Sequence, residues 1–324
     1  MFININGAGI RLPDFFIVGA AKSATTSLYY YLKAHPQIFL PEVKEPSFFS
    51  FANNPPNFVS PGKMRTIVWK LENYSALFKG ADEGQIMGDI SPSHLYTYES
   101  TISNIKNFYG ANYKKLKIII ILRNPVDRAW SQFMHFKKHL NEPLSFAQAI
   151  NSQTIKYRLE NNWSIFYDYV GAGMYYNQVK AYLSEFPFVK IFLFDELKRE
   201  ATKTIHEIFS FINVQSDFNP QNLSTIYNRS GIPKIRYFYP LYKMIVKDNF
   251  IKCVLRLIIP IPKAKRKKLR INIQNAIFER VLVRETIESE MEKELYSIYH
   301  KNIIKLTTLL KGKESLLLNW IKDM

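Results

Sequence analysis

A single cysteine, Cys253, stands in a chain of 324 residues. One thiol makes no intrachain disulfide and no multi-cysteine metal site, so the chain needs no oxidising compartment. Within the apolar run FIKCVLRLII it reads as a packing residue rather than a nucleophile. Long hydrophobic stretches are missing too: with no charge-free run of about 18 apolar residues, no transmembrane helix is expected. The opening MFININGAGIRLPDFFIVG lacks a cationic start and carries Asp14 in its first apolar stretch, unlike a signal peptide. Internal repeats and low-complexity tracts are absent. No His, Asp and Glu residues fall at metal-ligand spacing, so no metal is expected. The simplest location is the cytoplasm. Acidic residues are scarce, 27 against 44 Lys and Arg, for a formal net charge of +17. A surplus of this size attracts nucleotides, nucleic acid, acidic sugars or lipid headgroups, or it merely keeps a basic surface soluble.

What is present is the composition of a globular protein, 47% hydrophobic and 22% charged. Rings are plentiful, with 20 Tyr and 24 Phe, which predicts an aromatic core or a ring-lined cleft. The length suits one large α/β domain or two small ones. Short apolar strands alternate with helical segments. Strands are expected at Phe15–Gly19, Gln85–Ile90, Lys117–Leu122 and Val189–Phe194; four consecutive isoleucines in the third suit a strand buried on both faces. Helices are expected at Thr26–Ala34, from Pro125 to about His139, and from about Lys198 to Ile212. This order implies βαβ units, a parallel sheet and helices on both faces. The last quarter differs. Asn249–Pro262 is apolar with scattered basic residues, Lys263–Arg270 is nearly all basic, and helical segments run to the end.

The segment FFIVGAAKSATTSLYYYLKAHP carries the strongest chemical signal. A strand ends at Gly19, and a loop of small residues holds Lys22, Ser23, Ala24, Thr25, Thr26 and Ser27 before a helix. Free N–H groups at a helix start, the helix dipole, hydroxyl donors and one lysine together make an anion site. The nucleoside-triphosphate loop places its lysine directly before Ser or Thr, whereas Lys22 precedes Thr25 by three positions. A generic strand–loop–helix turn capped by threonine is the plainer reading. After the strand Lys117–Leu122 comes RNPVDRAWS, Arg123 to Ser131. Ligands of parallel sheets bind at the carboxyl ends of the strands, so Arg123 should share an edge with Lys22. Its guanidinium suits a phosphate, and Ser131 lies two helical turns onward.

On these residues the chain resembles the sulfotransferases that use 3′-phosphoadenosine 5′-phosphosulfate (PAPS). The family loop K-x-G-T-T-x-L, which grips the 5′-phosphosulfate, reads Lys22 to Leu28 here; R-N-P-x-x-R-x-x-S, which grips the 3′-phosphate, matches completely from Arg123 to Ser131. GMYYNQVKAYLSEFPFVKIFLFDEL is similar to a further family motif and its late strand, and Trp320 after a leucine run looks like the family's C-terminus. The flavour is bacterial and carbohydrate-type, related to the heparan sulfate enzymes. The resemblance implies a P-loop-like three-layer α/β domain spanning 1–324, with residues from about 250 to 290 as helical decoration. It implies PAPS as co-substrate and a hydroxyl acceptor, with glycan or glycolipid foremost. Three positions depart from the family. Ala24 replaces a glycine, tolerable if its φ is negative. The K-G-R-x-x-P loop survives only as Asn228–Pro233, offering Arg229 to the 3′-phosphate. Ile90 stands where heparan-type enzymes carry a lysine.

Sulfuryl transfer needs a cation at the bridging oxygen, for which Lys22 is the candidate, and a base for the acceptor hydroxyl. Glu45, in VKEPSFF, resembles the glutamate of the family's E-x-x-F-F segment. Burial beside Phe48 and Phe49 would raise its pKa; the alternative is a surface pair with Lys44. His94 is the second base candidate, against a structural role. Asp89 orients Lys22 or an acceptor hydroxyl, or caps a turn. Tyr96, Trp130, Phe133, Trp163 and Phe166 stack on an acceptor or fill the core. Lys252–Arg270 contacts an anionic membrane at its inner surface, or is a solvated basic segment. Three competing functions stay open: a nucleoside-triphosphate kinase, a polyanion-binding protein, and a family member that binds nucleotide without turnover. No nucleic-acid module pattern appears.

Overall fold

The computed structural model describes residues 1–5, 8–62, 67–221, 223, 232–233, 282–283 and 286–321. Cys253, Arg229 and the Asn249–Pro262 and Lys252–Arg270 segments lie outside them. An N-terminal hairpin pairs β1 (Phe2–Ile5) with β2 (Ala8–Arg11). The central sheet contains β3 (Phe15–Gly19), β4 (Ile38–Phe39), β5 (Ile86–Ile90), β6 (Lys117–Leu122) and β7 (Phe188–Leu193), in the spatial order β4-β5-β3-β6-β7. All four pairings are parallel.

Strand alternation explains the three layers. In β6, Ile118, Ile120 and Leu122 enter one apolar cluster, while Ile119 and Ile121 enter the other. In β3, Phe16 and Val18 face one side and Phe15 and Ile17 the opposite. Side chains two apart share a sheet face, so a run apolar at every position is buried twice. One face packs against the helices Thr25–Lys33 and Ala201–Ile212 through Leu28, Leu32, Ile205 and Phe209. The other is covered by Tyr98–Tyr109, Pro125–Lys138 and Tyr175–Glu185, with Ile105, Val126 and Val179 inward. The C-terminal helix Ser289–Leu309 joins that second core through Leu295, Tyr299 and Leu306. Each fully buried Leu, Ile or Phe contributes roughly 1.5–3 kcal/mol. The β3–β5 contact depends on Gly88, whose added β-carbon would lie 2.2 Å from Cζ of Phe15.

Besides one-residue shifts at Ile86–Ile90 and Thr25–Lys33, two boundaries around the last strand differ from expectation. The last strand ends at Leu193, and Phe194 already begins the helix Phe194–Arg199. The Glu196 carboxylate accepts the Leu193 N–H at 2.6 Å, starting the helix at the strand's end. The expected helix from Lys198 is broken at Glu200, whose φ of −132° and ψ of 56° are not helical. The C-terminus pins this corner: Lys313 donates to Glu196 at 2.6 Å, and Trp320 donates its indole N–H to Asp195 at 3.3 Å.

Candidate active site

Because β3 and β6 are parallel neighbours, the chain leaves both at the same edge. The Ala20 N–H still donates to the Ile121 carbonyl at 2.7 Å. Beyond it the loop turns through two left-handed residues, Lys22 at φ 71° and Ala24 at φ 64°, and Ala24 is the N-cap of the Thr25–Lys33 helix. Alanine has no oxygen with which to cap, so its side chain leaves the first-turn N–H groups to other acceptors. The expectation of a negative φ at Ala24 is therefore corrected. The turn requires the conformation that glycine adopts freely and in which a β-carbon costs about 1–2 kcal/mol. Ala24→Gly should stabilise the fold by about 1 kcal/mol, read as a higher denaturation midpoint at unchanged slope. A lower midpoint would contradict the strain.

Arg123 joins the two motifs. Its Nη1 donates to the Lys22 carbonyl at 3.3 Å, across 101 residues of sequence. Its Nη2 lies 3.5 Å from Asp127, and its guanidinium sits 4.9 Å from the Phe194 ring centroid. The turn that holds it is fastened on both sides. Asn124 caps the following helix by accepting the Val126 N–H at 3.0 Å, and its amide donates to the Tyr296 hydroxyl at 3.1 Å. Tyr175 donates to the Arg123 carbonyl at 2.9 Å. Pro125 occupies the first helical position, where its missing N–H costs nothing. Ser131 is buried on the same helix, roughly 9 Å of axial rise beyond Pro125. Ser23, Thr25 and Ser27 are buried, while Lys22 and Thr26 are half-exposed.

Glu45 reaches this edge from another direction. It is 7% exposed. The Lys44 ammonium lies 3.1 Å from its carboxylate and donates to the Thr26 hydroxyl, tying Glu45 to the first turn of the helix. The pair with Lys44 thus forms, but with the glutamate buried. Glu45 and Ser47 both have φ of 56°, and a buried chain of hydrogen bonds fixes this turn. The Ser47 N–H donates to Ser91 Oγ at 3.0 Å, Ser91 donates to Asp89 at 2.6 Å, and Tyr74 donates to the other Asp89 oxygen at 2.6 Å. Asp89 is fully buried; burial raises its pKa to about 6 against the lowering effect of the two hydroxyls. It anchors the Glu45 turn through Ser91 and bonds to neither Lys22 nor an open surface.

His94 is placed elsewhere. It is fully buried, its ring 6.2 Å from that of Phe16 and 6.0 Å from that of Phe49. Burial alone lowers its pKa to about 3. Its expected place at the ligand edge is not realised, because the neighbouring Leu95 packs against Gly19 while the imidazole turns into the aromatic core. Among the five aromatics, Trp130 and Phe133 each pack 4.9 Å from Phe146, and Trp163 lies 4.9 Å from Tyr167. Tyr96 and Phe166 line a cavity beside Ala20 and Ala21, together with Arg128 and Gln178. Arg128 is not among the expected site residues, although it is the second arginine of the RNPVDRAWS segment; that motif position is its signal in the sequence, and the structure buries it between Val126 and Ala129.

A model of the sulfotransferase domain matches residues 12–249. The chain belongs to the sulfotransferase family. A solved sulfotransferase from Alicyclobacillus acidocaldarius superposes with a TM-score of 0.69 at 26% identity, covering 95% of this chain and 99% of that one. The membrane-associated sulfotransferase kil1 of Dictyostelium discoideum is 28% identical over 152 residues, 45% of this chain and 28% of the relative. The human bifunctional heparan sulfate N-deacetylase/N-sulfotransferase 2 is 26% identical over 222 residues, 64% of this chain and 23% of the relative. The chain therefore spans about a quarter of the length of these two curated relatives. The sulfotransferase fold accounts for the parallel sheet and the shared edge of Lys22 and Arg123. Among the described residues, no helix is long and apolar enough to cross a membrane. No group of three His, Cys, Asp or Glu residues there is placed to hold a metal ion.

Proposed function

We propose that this chain transfers the sulfuryl group of PAPS to a hydroxyl of a glycan or glycolipid. The observation that carries the reading is the hydrogen bond from Arg123 to the Lys22 carbonyl, which brings two anion-binding loops to one edge of the sheet. Residues 22–27 would hold the 5′-phosphosulfate through N–H groups and hydroxyls; Arg123 and Ser131, with Arg229, would hold the 3′-phosphate. In the transfer, the acceptor oxygen attacks sulfur in line with the departing phosphate oxygen. The S–O bond to the 5′-phosphate breaks, and Lys22 offsets the charge left on that phosphate. The acceptor proton passes to the Glu45 carboxylate. We assign the base to Glu45 rather than His94 because Glu45 is tethered to the loop through Lys44 and Thr26, whereas His94 is enclosed by rings. The heparan-type relative supports a glycan acceptor.

The test is transfer of sulfur-labelled PAPS to a panel of glycosides and glycolipids, with γ-labelled ATP in parallel. Label should move from PAPS to an acceptor and not from ATP. Nucleotide binding without transfer to any acceptor would favour the reading without turnover, to which the strained Ala24 and the apolar Ile90 point.

A further inference from the structure

Lys44 stands between the donor loop and the base. Its ammonium donates to the Thr26 hydroxyl at 2.5 Å and lies 3.1 Å from the Glu45 carboxylate. Thr26 belongs to the first turn of the helix Thr25–Lys33. Successive side chains of an extended segment point to opposite faces. The left-handed turn at Glu45, φ 56°, breaks that alternation, and the two sequence neighbours meet. Their side chains are largely buried, at 22% for Lys44 and 8% for Glu45. The ammonium also lies 6.0 Å from the ring centroid of Tyr29, on the same helix as Thr26. The turn itself is held by other contacts: the Ser47 N–H donates to Ser91, and the Val68 N–H donates to the Pro46 carbonyl. Changing Lys44 therefore removes a charge and an orienting contact without removing what shapes the turn.

We propose that Lys44 is a positioning residue of the transfer: one ammonium orients the Thr26 hydroxyl toward the donor and holds the Glu45 carboxylate, ionised, beside it. The proposal rests on the transferase reading, in which Glu45 receives the acceptor proton. A hydroxyl that accepts from an ammonium directs its own proton to another acceptor, here a phosphate or sulfonate oxygen. Burial disfavours the charged form of a carboxylate, and a cation this close favours it again by about 1–3 pH units. Without Lys44, Glu45 would retain its proton to higher pH, and a protonated base takes nothing from the acceptor. Other charged groups sit on the elements around the pair. They are Lys22 in the donor loop, Lys33, which lies 2.5 Å from Glu42, and Asp89, which is linked to the Ser47 N–H through Ser91. Each is retained when Lys44 is changed, so the comparison isolates one ammonium.

The test is a carbon-13 NMR titration of protein labelled at the glutamate side-chain carboxyl, with the Glu45 signal assigned by its loss in Glu45→Gln. Glutamate labelling keeps Asp89, whose carboxyl burial raises to about 6, out of the spectrum. In Lys44→Met the Glu45 midpoint should rise by about one pH unit or more, a gain of about tenfold in proton affinity. Lys44→Gln removes the same charge but keeps a polar side chain, and should give the same rise. Lys44→Arg keeps the charge and should hold the midpoint within about half a unit. Calorimetric affinity for 3′-phosphoadenosine 5′-phosphate should stay within about fivefold in all of them, because the loop N–H groups and Arg123 remain. A Glu45 midpoint indifferent to both charge-removing variants would overturn the proposal and leave the pair a structural contact. A larger loss of bisphosphate affinity would overturn it too, making Lys44 a donor ligand instead. Failure of the donor reading is separate: the unaltered protein would not bind the bisphosphate, whatever the Glu45 midpoint does.

Discussion

Glu45→Gln should lower kcat for sulfuryl transfer by about 10²–10⁴-fold while leaving affinity for 3′-phosphoadenosine 5′-phosphate within about twofold. The change removes a proton acceptor and keeps shape. It should keep position as well, because the Glu45 turn is held from outside the side chain. The Ser47 N–H is bonded to Ser91 at 3.0 Å, Ser91 to Asp89 at 2.6 Å, and the Pro46 carbonyl accepts the Val68 N–H at 3.0 Å. The loss should therefore fall on kcat rather than on donor binding. Loss of the ion pair with Lys44, 3.1 Å away, is a smaller effect. Steady-state kinetics with PAPS and a working acceptor, beside a calorimetric titration of the bisphosphate, separate the two. Near-wild-type turnover in the variant would remove Glu45 as the base.

Glu142→Ala should destabilise the fold by about 3–5 kcal/mol, the cost of leaving one charge of a buried pair unmatched. Glu142 and Arg158 are 0% and 3% exposed at their side chains and are bonded twice, at 2.7 and 2.9 Å. The Tyr169 hydroxyl donates to Glu142 at 2.6 Å, as does the Leu144 N–H at 3.0 Å. The Arg158 guanidinium lies 4.6 Å from the Trp163 ring and 5.2 Å from that of Tyr167. Alanine would strand the guanidinium among these rings. Since domains are stable by only about 5–15 kcal/mol, the loss is a large share of the total. The effect should reach the cavity, because the Tyr169 carbonyl accepts from Arg128 and from the Tyr299 hydroxyl. Chemical denaturation measures the loss. Replacing both partners, Glu142→Leu with Arg158→Met, should recover most of it; a double variant as unstable as the single one would contradict the stranded-charge account.

The parts of this molecule legible in its sequence are those set by local pattern. Phe15–Gly19 and Lys117–Leu122 fold as strands at the expected bounds, because short apolar runs between turn signals, such as Ile118–Leu122, have few other solutions. Parallel pairing follows from the alternation of strands and helices, and it places Lys22 beside Arg123. The short edge strand Ile38–Phe39 has too few residues to show a pattern. Backbone conformation was hidden as well. Lys22, Ala24, Glu45 and Ser47 are left-handed without being glycine, which tertiary contacts impose and residue type does not announce. Polar burial was read least well. The role of Asp89 depends on Tyr74, and the role of Arg128 on the Tyr169 carbonyl, contacts that no spacing rule connects. The enclosure of His94 is hidden for a related reason: position after a strand fixes its Cα near the edge, but its ring lies against Phe16 and Phe49.

The most direct test of the central claim is a calorimetric titration of 3′-phosphoadenosine 5′-phosphate into the purified protein, with ATP as control and Arg123→Ala as the broken site. Selective binding of the bisphosphate should weaken about 10–100-fold in the variant, the loss of one charge-assisted contact of about 1.5–3 kcal/mol. Equal binding of ATP, or bisphosphate affinity indifferent to Arg123, would contradict the account.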